Sequence, residues 1–117
     1  MPNIEKAIQT KSFYFAVRIV NLCKYLQTTQ KEYVLTKQLL RCGTSIGANV
    51  AEAQQAQSRP DFVSKLNIAL KESYETDYWL RLMEATQILS QEEYRSIIAD
   101  CHELEKLLIS IIKTTKA

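Results

Sequence analysis

Apolar residues recur along this chain at spacings of three and four, the mark of a single helical face. The central stretch shows it best. From Gln38 to Ala53, QLLRCGTSIGANVAEA, small or apolar residues fall at Leu39, Cys42, Ile46, Val50 and Ala53. Polar residues keep the same rhythm one position earlier, at Gln38, Arg41, Ser45, Asn49 and Glu52. A helix here carries an apolar stripe with a polar stripe beside it.

The periodicity predicts four helices, over about 3–27, 32–57, 59–86 and 91–114. In the first, Ile4, Ile8, Phe15, Ile19, Leu22 and Leu26 form a stripe interrupted near Lys11 and Ser12, and Phe13, Val17 and Val20 widen its apolar face. Asn3 is the expected N-cap, and Thr28–Lys31 reads as a connection. The second helix holds both glycines, Gly43 and Gly47, at i and i+4. Each costs about 1 kcal/mol relative to alanine, so their shared face implies the close approach of another helix. Ser58-Arg59-Pro60-Asp61 and Ser90-Gln91-Glu92-Glu93 are capping boxes that open the third and fourth helices.

The third helix carries Phe62, Leu66, Ala69, Ser73, Thr76 and Leu80 on one stripe, with Tyr74, Tyr78 and Trp79 on others. Apolar groups on several faces predict several neighbours, including a contact between subunits. On the fourth, Tyr94, Ile97, Cys101, Leu104, Leu108 and Ile111 line up. Short links make sequential helices antiparallel neighbours. The expected architecture is all-α: an antiparallel up-down-up-down four-helix bundle, one domain over residues 1–117.

Composition agrees. With only two glycines and two prolines among 117 residues, few turns are available. Hydrophobic residues make up 46% and charged residues 24%, the balance of a globular core and not of a disordered chain. No apolar run approaches the roughly 18–20 residues of a membrane span, and MPNIEKAIQTK lacks a signal-peptide apolar region. The protein is expected in the cytoplasm, without a membrane partner. Cys23, Cys42 and Cys101 are odd in number, unpaired in sequence and placed at apolar helical positions, as reduced core thiols are.

Candidate chemistry is sparse. A ferritin-like metal site needs Glu-x-x-His, but Ala99 stands three residues before His102, the one histidine. Phosphate-binding, dinucleotide, zinc-protease and nucleophile-elbow motifs are absent. Ser45, Ser73 and Ser110 have no histidine base near them in sequence. No catalytic residue, metal site or cofactor is assigned, and the chain is read as a non-enzyme. The stripe Gln38, Arg41, Ser45, Asn49 and Glu52 has two readings. It is a structural polar network facing Lys65, Glu72, Ser73, Glu75 and Thr76 of the third helix, or a ligand or nucleic-acid surface.

Gln38, Arg41, Ser45-Ile46, Ala48-Asn49-Val50-Ala51-Glu52, then Ser58, Phe62, Leu66, Ile68-Ala69 and Ser73-x-Glu75 resemble the pattern of the bacterial four-helix-bundle proteins, also called 23S rRNA intervening-sequence proteins. The likeness is densest from Gln38 to Leu80. Gly47 stands for the usual proline and Ala53 for the usual glycine of the S-I-P-x-N-I-A-E-G motif. The resemblance implies a bundle that assembles as a homopentamer and has no established enzymatic activity. It also implies kinship with the accessory variability proteins of diversity-generating retroelements, basic pentameric barrels that bind nucleic acid.

Charge sharpens the alternatives. The formal charge of +2 is unevenly placed. Residues 1–28 hold Lys6, Lys11, Arg18 and Lys24 against Glu5, whereas residues 58–117 are net acidic. On an oligomer the basic face of helix one would repeat around a ring and gather phosphate contacts. One function is therefore an accessory protein binding RNA or DNA through Lys6, Lys11, Arg18 and Lys24. The alternative is a scaffold or protein–protein interaction module with no nucleic-acid role, its partner unspecified.

Overall fold

The computed structural model describes residues 2–116. These form α1 (Pro2–Gln30), α2 (Val34–Ala53), α3 (Arg59–Ala85) and α4 (Gln91–Lys116), with no strand among the described residues. Each helix packs against its sequence neighbours, and α4 closes the ring on α1. Cross-links place Lys11 beside Glu103 and Arg18 beside Asp100, so α1 and α4 run antiparallel. The bundle measures 45 × 21 × 19 Å. Among the described residues no helix is long and apolar enough to cross a membrane.

The core is made by the predicted stripes. Ile8, Phe15, Ile19 and Leu26 of α1 meet Leu39, Ile46 and Val50 of α2, Leu66, Leu80 and Met83 of α3, and Leu104 and Leu108 of α4. Phe13 and Val17 do not join them. They are 63% and 40% exposed, because the core already meets α1 along Ile8, Ser12, Phe15 and Ile19 and has no room for a wider face. Ser12 is instead buried, where its small side chain admits Gly47.

The helix ends differ from the expected ones for local reasons. α1 begins at Pro2, whose fixed φ suits a first helical position, so Asn3 lies in the first turn and is not the cap. α1 continues through Thr28 and Thr29 to Gln30, and stops where Lys31 takes φ 56°, a left-handed conformation that cannot continue the helix. Glu32 then covers the start of α2: its carboxylate accepts from the amides of Val34, Leu35 and Thr36. α2 ends at Ala53, not near residue 57, as the next amides tighten onto carbonyls three residues back.

The second capping box forms in full and the first by half, because Asp61 takes the amide before the cap and not that of Ser58. Ser58 Oγ accepts from the Asp61 amide at 3.2 Å, while the Asp61 carboxylate accepts from Gln57. Ser90 and Glu93 exchange amide bonds reciprocally, at 2.9 and 3.1 Å. α3 closes at Ala85; Gln87 adopts φ 64°, and the amides of Ile88 and Leu89 return to the Met83 carbonyl.

Candidate functional site

The polar stripe of α2 lies along its seam with α3. Arg41 reaches across to Glu72 and Glu75, and Trp79 Nε1 donates to the same Glu75 carboxylate at 3.0 Å. Lys65 pairs with Glu52 at 3.3 Å. Asn49 Nδ2 stays within its own helix, donating to the carbonyl and hydroxyl of Ser45. Gln38 is half-buried. Ser73 and Thr76, offered by sequence as partners from α3, are fully buried but donate to the Leu70 and Glu72 carbonyls of their own helix.

The four basic residues of α1 divide into two kinds. Lys11 Nζ lies 2.6 Å from Glu103. Arg18 spans Asp100 at 2.8 Å and the carbonyl and hydroxyl of Ser96. These two cations are already matched by acids of α4. Lys6 and Lys24 are exposed, and neither forms a salt bridge among the described residues. The structure gathers unpaired cations elsewhere. An open groove of about 630 Å³ between the start of α3 and the end of α4 is lined by Arg59, Lys71 and Lys116, with Ser64 and Asn67 as polar partners. Sequence reasoning missed it because these residues sit on two helices far apart in the chain.

A second apolar feature stands on α1. Phe13 and Tyr14 are each 63% exposed and meet edge to face, their ring centres 5.6 Å apart. Phe13 rims a groove of about 380 Å³ floored by Gly47, Ala48 and Ala51 of α2. The glycine is what brings the α2 backbone down to α1 here: a Cβ on Gly47 would lie 3.1 Å from the Ser12 carbonyl oxygen.

Between α3 and α4 lies a cluster of titratable groups. His102 Nε2 is 3.1 Å from Asp77 Oδ2, and Arg81 Nε donates to Asp77 Oδ1 at 3.1 Å. Glu105, one turn beyond His102, completes a set whose donor atoms all lie within 4.8 Å of one another. Burial, and then the charge of Asp77, push the Glu105 carboxyl up to about 7, with His102 opposing. The Cys101 thiol contacts both Glu105 and the Ser73 carbonyl. Burial holds Cys101 well above the ordinary thiol range and raises Cys23 and Cys42 to about 11. These thiols stay protonated and are not nucleophiles. The sequence did hold one trace of the cluster, the His102-x-x-Glu105 spacing, which places both side chains on one face.

Four antiparallel helices around an apolar core, with ion pairs on the seams, define an all-α helical-bundle protein. The chain belongs to the 23S rRNA-intervening sequence protein family, whose model matches residues 5–110. Its structure is similar to the crystal structure of a protein of unknown function from the S23 ribosomal protein family of Bacteroides thetaiotaomicron. The TM-score is 0.93 at 59% identity, over 94% of this chain and 98% of that one. Among curated proteins none matches.

Proposed function

We propose that this protein is a non-enzymatic, self-associating scaffold of the cytoplasm that presents its helical faces to a partner. The observation that carries the reading is the exposed apolar band Phe13, Tyr14 and Val17 beside the small-residue groove of α2. Contiguous exposed apolar surface of this kind marks an interaction site. The family resemblance leads to five copies in a ring. The lack of a chemical role is supported by the raised thiols and by the buried hydroxyls of Ser73 and Thr76, which are engaged with backbone carbonyls. Molar mass in solution, followed over a concentration series, tests it. A multiple of the 13.5 kDa chain that falls toward one chain in Phe13→Ser/Tyr14→Ser supports the reading. A monomer throughout overturns it.

A second reading keeps the nucleic-acid role and moves its site. Lys11 and Arg18 are neutralised by α4, so phosphate contacts on α1 would fall to Lys6 and Lys24. Arg59, Lys71 and Lys116 line one groove and form no salt bridge among the described residues. The favoured nucleic-acid surface is therefore the α3–α4 end of the bundle, repeated on each copy of an assembly.

A further inference from the structure

We propose that Asp77, His102 and Glu105 form a binding site for a divalent transition-metal ion of the zinc type, held between α3 and α4. This departs from the expectation of no metal site, which rested on the absence of Glu-x-x-His and zinc-protease spacings and on unpaired cysteines. Here the order is reversed, and the third ligand comes from the neighbouring helix.

The geometry is close to assembled. One imidazole nitrogen and two carboxylate oxygens lie within 4.8 Å of one another. Zinc bonds of roughly 2.0–2.2 Å to such donors place ligand atoms about 3–3.5 Å apart, so small side-chain rotations suffice. The side chain of His102 is 50% exposed and that of Asp77 18%. The set thus opens to solvent on the imidazole side, where water can complete the coordination, as in zinc sites with three protein ligands. A nitrogen among the donors favours zinc over magnesium or calcium, which prefer oxygen alone.

The surroundings favour a cation between the carboxyls. Asp77 and Glu105 bring carboxylate oxygens within 4.8 Å of each other, and the guanidinium of Arg81 takes the other oxygen of Asp77. Arg81 thereby orients Oδ2 toward His102, and the Cys101 thiol backs Glu105. Such outer contacts fix ligand orientation.

His102 is the only histidine, so its imidazole gives an unambiguous NMR signal. The experiment adds zinc chloride to the chelator-stripped full chain and records heat and the His102 resonances together. One ion per chain is expected, with the imidazole shifting in step. His102→Gln and Glu105→Gln, checked for unchanged helicity, should each weaken binding by roughly 10–100-fold, the scale already seen for loss of outer-shell partners. Magnesium at the same concentration should leave the imidazole unmoved. Absence of heat and shift with zinc in large molar excess over the chain overturns the proposal. So does binding that persists in His102→Gln or leaves the His102 signal in place.

Discussion

Gly43 lies so close beneath Ile19 that a methyl group on it would come within 2.8 and 2.9 Å of the two γ carbons of that side chain. Both γ carbons sit next to the branch point of Ile19, which is wholly buried, and neither swings away cheaply. Gly43→Ala should gain about 1 kcal/mol of helix propensity and lose about 1–3 kcal/mol to overpacking, a net loss that lowers the melting temperature. Ile19→Ala should remove the obstacle at the cost of a cavity. The two changes together should then cost less than their sum, which a thermal double-mutant cycle measures. Additive losses would show that α1 and α2 do not meet through this pair.

Pattern reading reached the helices and their core because it needs only the spacing of side chains on one helix. Two glycines on one face gave away the α1–α2 approach, and two capping boxes gave away the starts of α3 and α4. What the chain could not show was register between helices. Phe13 belongs to an apolar stretch, yet only the packing of α1 leaves it outside the core. Lys11 and Arg18 read as a free basic face until α4 sets Glu103 and Asp100 against them. Asp77 meets His102 only because α3 and α4 settle at one height. A side chain's partner on another helix is decided by that register, which no single stretch of sequence records.

Glu105 makes stability depend on pH in an uncommon direction. Its carboxyl titrates at about 7 in the folded chain against an ordinary 4.5. The folded state therefore binds the extra proton between these values, and its stabilisation is complete below about 4.5 and lost as pH rises through 7. With chelator present, melting temperature should fall from pH 5 to pH 8 by more in wild type than in Glu105→Gln. The variant should be the more stable of the two at pH 8. Parallel pH profiles would show that Glu105 ionises freely.

Arg41 joins α2 to α3 through two carboxylates, one of which also holds Trp79. Because Arg41 is half exposed, Arg41→Ala should cost only about 0.5–1 kcal/mol, the upper range of a surface pair in a network. Glu52 is 60% exposed in its pair with Lys65, and Glu52→Ala should cost less. The single tryptophan reports the difference. Its fluorescence should change in Arg41→Ala, where Glu75 is released, and stay as in wild type in Glu52→Ala. Equal losses for both variants, with unchanged emission, would mean that the seam is not organised around Arg41.

Charge reversal separates the two candidate nucleic-acid surfaces, provided stability is measured beside binding. Lys11→Glu with Arg18→Glu sets new carboxylates against Glu103 and Asp100, so this pair of changes should lower the melting temperature whatever the protein binds. Arg59→Glu with Lys71→Glu breaks no salt bridge seen among the described residues and should leave folding nearly unchanged. If phosphate is bound at the α3–α4 groove, the second variant loses affinity for structured RNA or duplex DNA, and its binding depends less steeply on salt, because each lost phosphate contact removes about one unit of the logarithmic salt slope. If the protein is a scaffold alone, wild type already shows no salt-sensitive binding at low ionic strength, and both variants match it. Loss of binding in the α1 variant alone, at a temperature where it is fully folded, would instead return the site to the first helix.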